Sequence, residues 1–223
     1  MATNKRVLGR IGFYLGLALF LIITLFPFFV MLMTSFKSAK EAISLHPTIL
    51  PQEWTLQHYI DIFNPLIFPF VDYFRNSMVV SLTSSVIAVF LGTLGAYALS
   101  KLRFKGRTTI NASFYTVYMF SGILLVVPLF KIITALGIYD TELALIITMV
   151  TQTLPTAVFM LRSYFDTIPD EIEEAAMMDG LNRLQIIFRI TVPLAISGLV
   201  SVFVYCFMVA WNDYLFASIF LSS

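Results

Sequence analysis

Five stretches of this chain read as uninterrupted apolar runs. Ile11–Phe36, Asn76–Ser100, Thr108–Phe130, Leu143–Leu161 and Ile190–Asn212 contain no Asp, Glu, Lys or Arg. Crossing the hydrocarbon of a bilayer takes about 20 apolar residues. Lipid offers backbone N–H and C=O groups no partners, so each run is predicted to be a helix that closes its hydrogen bonds within itself. Between the runs lie polar segments. The longest, 37–75, contains Pro47, Pro51, Pro65 and Pro69 and is predicted as an irregular outer loop with one short helix near Leu56–Phe63. The pattern as a whole predicts an all-α, polytopic membrane protein, with residues 1–223 forming one transmembrane domain.

The segment Asp166–Pro193 departs most from this apolar background. It carries Asp166, Asp170, Glu171, Glu173, Glu174 and Asp179, then Arg183 and Arg189. It reads as two short helices. Pro169 suits a first helical position, where its missing N–H would be unpaired anyway. Asp170 and Glu171 then fall in the first turn, where the helix dipole favours negative charge. Ile172, Ala175 and Ala176 share a face by the i, i+3, i+4 rule. Gly180 can take the left-handed conformation that ends a helix, Asn182 can cap the next one, and Leu184, Ile187 and Phe188 again share a face. Pro193 opens the following apolar helix.

Charge fixes the expected orientation. With the N-terminus inside, the inner segments hold ten Lys and Arg, among them Lys5, Arg6, Arg10, Lys101, Arg103, Lys105, Arg107, Arg162, Arg183 and Arg189, and the outer ones hold four, Lys37, Lys40, Arg75 and Lys131. That asymmetry places 163–192 in the cytoplasm and 37–75 outside. Composition agrees with a membrane class: the chain is 59% hydrophobic and 12% charged, with a mean hydropathy of +0.88, where a soluble domain carries about 25% charged residues. The net charge of +1 gives no reason to expect nucleic acid. The N-terminal run is too long, and too poor in a small-residue cleavage site, for a signal peptide. The single Cys206 excludes an internal disulfide, and His46 and His58 are too isolated for a metal site.

Glu174-Ala175-Ala176, three residues, Gly180, nine residues, Ile190, one residue, then Val192-Pro193 resembles the coupling motif of permease subunits of binding-protein-dependent ABC importers. The family usually has Leu where this chain has Val192. Trp54-Thr55-Leu56 with Tyr59, the turn Tyr97–Arg107, and Trp211-Asn212-Asp213-Tyr214 resemble the sugar-permease branch, the shorter maltose-type subunit of the carbohydrate-uptake class. The resemblance implies a type I importer transmembrane fold and a mechanical role. Glu174, Ala175, Ala176, Asp179, Gly180, Ile190 and Pro193 would dock the chain on a dimer of ATP-binding subunits. A second permease subunit, an external solute-binding protein and a sugar would be its other partners, with membrane lipid around it and no cofactor. Such subunits usually have six spans; five put the C-terminus outside, so a sixth is expected to be missing from this sequence.

Several features read two ways. The 37–75 segment either contacts the binding protein or partner permease, or rests aromatic side chains at the interface. Ser84, Ala88, Gly92, Ala96 and Ser100 recur every four positions, and helix packing is the preferred reading over a pore lining. Pro155, beside Gln152 and Thr153, predicts a helix bend that frees a carbonyl; it serves either rocking or static packing. Trp211, Asn212 and Asp213 offer a flat ring and hydrogen-bonding groups suited to a sugar, or simply end a helix at the outer interface. No phosphate-binding Gly-x-x-x-x-Gly-Lys-Ser/Thr loop occurs, because Lys never follows Gly. No Gly-x-Ser-x-Gly or His-Glu-x-x-His pattern occurs either, so the chain is expected not to be an enzyme. The remaining rivals are a permease for another solute, such as a polyamine or phosphate, and a carrier that works without an ATPase.

Overall fold

In the computed structural model of this chain, residues 2–119 and 122–221 are described, with the side chains of 2–8, 115 and 118 left aside. Among the described residues every regular element is helical. The chain divides into two compact units, 1–73 and 74–223.

The first unit is built on α1 (Ala2–Ser35), of which Gly9–Ser35 is long and apolar enough to cross a membrane. Two short helices follow, α2 (Ala39–Ala42) and α3 (Gln57–Ile62), the latter within the predicted 56–63. The irregular chain between them is tied to itself. Glu41 accepts from Thr48 Oγ1 at 2.6 Å and from the Gln52 N–H at 3.0 Å. Lys37, buried, donates to the Thr48 carbonyl. Phe36 packs its ring near Trp54 and Tyr59, at 5.6 and 5.8 Å.

The second unit takes up α4 (Phe70–Lys101) after its first turn, and then α5 (Arg107–Met119), a 3-10 turn (Gly122–Leu125), α6 (Val126–Ala135), α7 (Glu142–Phe165) and α8 (Asp170–Met178). It ends with α9 (Arg183–Ile186), a π turn (Ile187–Thr191), α10 (Val192–Leu194), α11 (Ile196–Trp211) and α12 (Leu215–Phe220). Its core buries large side chains such as Tyr97, Phe165 and Phe220, and small residues let its helices approach closely, as suits packing in lipid. Ala88 and Ala96 are fully buried. A Cβ on Gly92 would lie 3.2 Å from that of Ala157, so the four-residue stripe of α4 is its seat on α7. Two turns further along α7, a Cβ on Gly198 would lie 2.5 Å from the Tyr164 ring. Cys206, buried, is part of the core.

By length and composition α4 and α7 can each cross a membrane, as can α1; the fifth apolar run does so only as a bent pair. Its first residues continue α9 through the π turn, and the chain then turns by 84° into α11. Pro193 cannot donate to the Arg189 carbonyl one turn back, and Ala195 (φ −99°, ψ 19°) breaks the helix. The third run is not one helix: the 3-10 turn at Gly122–Leu125 separates α5 from α6. A Cβ at Gly122 would lie 2.8 Å from Gln152 Oε1, so the backbone closes on α7 there and leaves the straight path.

Candidate functional site

The polar segment is built as two capped helices around one left-handed residue. After α7, Asp166, Thr167 and Ile168 donate their N–H groups to the Arg162, Tyr164 and Phe165 carbonyls in tight turns. Pro169 (φ −57°, ψ 138°) is extended and stands one place before α8 rather than in its first turn. Asp170, Glu171 and Glu173 occupy that turn, with their charge at the positive end of the helix. Gly180 (φ +83°) ends it. The Leu181 N–H reaches the Ala176 carbonyl at 3.1 Å and the Gly180 N–H reaches that of Met177 at 3.0 Å, the paired closure that a left-handed residue allows. Asn182 and Gln185 then exchange side-chain and backbone hydrogen bonds at 2.9 Å each way, so the second helix starts as soon as the first has stopped.

Which face is buried differs from the apolar reading of the segment. Glu173 and Ala176 point inward, whereas Ile172 and Ala175 are exposed. Glu174, Asp179 and Gly180 are exposed as well, Ile190 is half-buried and Pro193 exposed. A carboxylate goes inward because its partners wait there. Glu173 is 3% exposed. Its Oε2 accepts from the Tyr97 hydroxyl at 2.9 Å, its Oε1 from Thr191 Oγ1 at 3.3 Å, and Arg183 Nη1 stands 3.8 Å from Oε2. Tyr97 and Thr191 are themselves fully buried.

The last turn of α4 holds the same segment at further points. Ser100 Oγ donates to Asp166 Oδ1 at 2.6 Å. Lys101 Nζ donates to the Ile168 carbonyl at 2.5 Å and to Asp170 Oδ1 at 2.7 Å. The Lys101 hydrogen bond, and then its charge, hold the Asp170 carboxyl below the usual carboxylate range. The pair is therefore formed at neutral pH and is lost only as pH falls through that lowered value. Arg107 donates to the Ser100 carbonyl at 3.0 Å and fixes the end of α4. Between this end and α8 lies an open groove, with Lys101, Arg103, Glu173, Glu174 and Arg183 in its walls.

A second polar place lies in the middle of α7. A cavity of about 170 Å³ is lined by Gly122, Leu125, Thr151, Gln152, Pro155, Thr156 and Tyr205, together with Val117. Gln152 Nε2 is buried there without a hydrogen-bond partner. Pro155, inside α7, has no N–H for the Thr151 carbonyl. The cavity thus has a donor and an acceptor, and no charged side chain among its lining residues.

Trp211, Asn212 and Asp213 come together at the end of α11, but largely engaged with their own chain. The Asp213 carboxylate accepts the Phe216 and Ala217 N–H groups at 3.1 Å and caps α12. Asn212 Nδ2 donates to the Met208 carbonyl at 2.8 Å. The Trp211 ring packs 5.5 Å from Phe74 and 5.6 Å from Phe207. Among the described residues, no three His, Cys, Asp or Glu side chains gather as a metal would need.

Sequence reasoning named Glu173 only among the carboxylates of the segment, and Tyr97 and Lys101 only within the turn Tyr97–Arg107 and the count of basic residues, and gave none of them a place in the site. One signal was present: Tyr97, Ser100 and Lys101 stand at i, i+3 and i+4 on one helix face, just before a basic turn.

Comparison with known proteins extends these observations. The profile of the family described as binding-protein-dependent transport system inner membrane component matches residues 88–223. The chain is 91% identical over 223 residues to the inner membrane ABC transporter permease protein YcjP of Escherichia coli (strain K12), covering 100% of this chain and 80% of that protein. It is 35% identical over 217 residues to the trehalose/maltose transport system permease protein MalG of Thermococcus litoralis, covering 97% of this chain and 77% of that protein. It is 38% identical over 183 residues to the trehalose transport system permease protein SugB of Mycobacterium tuberculosis, covering 79% and 66%. Among solved structures, a chain of a bacterial ABC transporter involved in the import of the acidic polysaccharide alginate superposes with a TM-score of 0.84 at 26% identity, over 99% of this chain and 76% of that one.

Proposed function

This chain belongs to the family of binding-protein-dependent transport system inner membrane components, and from that premise we propose that it lines part of the path of an ATP-driven sugar importer and is moved by a separate ATPase through the Glu174–Gly180 turn. Members of the family are multi-pass inner-membrane permeases of ABC importers, transport subunits rather than enzymes. The observation that carries the coupling reading is the division of α8 into two faces. Glu173 and Ala176 are buried against the spans, while Glu174, Ala175, Asp179 and Gly180 stand free beside a tight turn. Small Ala175 allows close approach, Glu174 offers a charge to a basic partner, and Gly180 sets the bend. Ile190 and Pro193 lead the segment back toward α11.

In this reading 163–192 lies in the cytoplasm with the N-terminus, and 37–75 faces the other side, where a solute-binding protein and a second permease subunit would meet the complex. ATP draws two ATPase subunits together, the turns move with them, and the spans pass from inward-open to outward-open, which is alternating access by two-state rotation.

The sugar assignment is supported by the relatives named for trehalose and maltose transport and by the chemistry of the α7 cavity. A polyamine calls for carboxylates and a phosphate for cations, and the cavity offers neither; an uncharged polyol needs the unpaired amide of Gln152 and the hydroxyls around it. Trp211, Asn212 and Asp213 would form the outer lip of that path, with Trp211 as the face for a sugar ring.

The test is reconstitution of the full importer in proteoliposomes with labelled disaccharides, a polyamine and phosphate. Uptake of a sugar that needs both ATP and binding protein is expected. Gln152→Leu should raise the KM for that sugar roughly tenfold, the worth of one buried hydrogen bond. Uptake of the polyamine or phosphate alone would overturn the sugar reading, and undiminished uptake without the ATPase would overturn the coupling.

A further inference from the structure

We infer that Tyr97, Ser100 and Lys101 are positioning residues that clasp the coupling segment to the end of α4, so that a displacement of α8 is delivered to that span as well as to its chain neighbours. The inference rests on the coupling reading above.

Three observations carry it. First, the three side chains lie on one face of the last turns of α4 and meet the segment at four successive points. They bind Asp166, the Ile168 carbonyl, Asp170 and Glu173, at 2.5 to 2.9 Å. The bonded residues are 66 to 76 positions apart in sequence, so these contacts tie the end of α4 directly to a segment remote from it in the chain. Second, the deepest contact is a buried carboxylate whose two oxygens face different elements. Glu173 on α8 joins Tyr97 of α4 to Thr191, which ends the π turn just before α10. Removing one partner of a buried charged group leaves a large desolvation cost uncompensated, so the three elements are held in one arrangement. Third, the covalent route from α8 to α11 is poorly suited to carry a push. It runs through a left-handed glycine, a π turn and an 84° break. The clasp bypasses all of these.

Tyr97 and Lys101 touch neither solute nor nucleotide in this scheme; they act through Glu173 and Asp170. The experiment uses the complete importer with its ATPase, second permease and sugar-loaded binding protein. Tyr97→Phe combined with Lys101→Met removes three of the four hydrogen bonds of the clasp while keeping the shape of both side chains. The ATPase is expected to co-purify and to hydrolyse ATP at the basal rate, while stimulation by the loaded binding protein and sugar uptake fall together by roughly tenfold or more. Stimulation within twofold of the unaltered importer would overturn the inference, and so would loss of the ATPase from the purified complex, which would make the contacts a docking support only. A second variant separates transmission from folding. Ser100→Cys with Asp166→Cys, in a Cys206→Ala background carrying the same two substitutions, puts two thiols in place of a side-chain pair whose oxygens stand 2.6 Å apart. Oxidation should restore stimulation and reduction should abolish it again; uncoupling that persists through the cross-link overturns the inference. Failure of the underlying coupling reading looks different: the unaltered permease would then transport without any ATPase bound.

Discussion

Two polar segments join apolar helices in this chain, 37–69 and 166–193, and they are held in opposite ways. The first is tied mainly to itself and to the adjoining end of α1. Its side-chain bonds link Glu41 to Thr48 and Gln52, Lys37 to Thr48, and His58 to the Lys37 carbonyl, over separations of 7 to 21 residues. The second is tied to α4 across 66 to 76 residues. Short closures cost little chain entropy and form without help, whereas long ones form only if the spans pack first. A polar segment fastened to itself and to the adjoining helix end can be displaced without moving any other membrane helix; one fastened to a distant span cannot. Composition does not distinguish them, since both are charged and both contain proline. What distinguishes them is where the far end of each hydrogen bond lies.

The largest effect is expected where the packing beneath the second segment is tightest. Gly198→Val puts side-chain atoms into the Tyr164 ring, 2.5 Å from the first added carbon. Overpacking of this kind costs about 1–3 kcal/mol or more, so the yield of folded permease in detergent and its unfolding temperature should both drop. Gly16→Ala, in the first unit with nothing within 4 Å, should change neither. Equal tolerance at both glycines would break the contrast between the units.

Next comes the turn itself. At φ +83° Gly180 occupies a region that costs a side chain about 1–2 kcal/mol, and a β-branched one more. Gly180→Val should therefore unwind the end of α8 and cut sugar uptake by roughly tenfold, with the permease still folded. Full uptake in that variant would count against a rigid turn as the docking feature. Asn182→Ala removes half of the reciprocal cap and should cost about 1 kcal/mol locally, read as a several-fold loss of uptake that Asn182→Ser largely restores.

The two-helix form of this segment was legible from sequence because its signals are local. Gly180 and Asn182 act through residues within four positions, and α1, α4 and α7 follow from the length of their apolar runs. Pro169 was misplaced by one residue, which is within the reach of a cap. The inward turn of Glu173 was not legible, because a charged residue on a short helix reads as solvent-facing until Tyr97 and Thr191 are known to lie beneath it. Nor was the division of the third run into α5 and α6, which depends on how closely Gly122 approaches Gln152 of another helix. The four-residue stripe of α4 did announce close packing, since small residues at that spacing have few other uses in lipid. The cavity beside Pro155 needed the fold, although the proline marked the carbonyl that it would free.

The smallest expected effect tests the self-contained segment. Glu41 accepts from Thr48 and from the Gln52 N–H, and these bonds, with that of Thr48 foremost, hold its carboxyl below the usual value of 4.5. A lowered value means that the ordering is complete above pH 4.5 and is lost as pH falls through the depressed value. The side chain is only half-buried, so the effect is local and modest. Trp54, exposed and 5.6 Å from Phe36, reports on it once Trp211→Phe has removed the other indole. Its emission should shift on acidification below the usual carboxylate range, and the shift should vanish in Glu41→Gln. At neutral pH Glu41→Gln with Trp211 intact should transport sugar within twofold of the unaltered importer. A large loss of transport there would mean that this segment, too, passes its position on to the machinery, and the difference between the two segments would disappear.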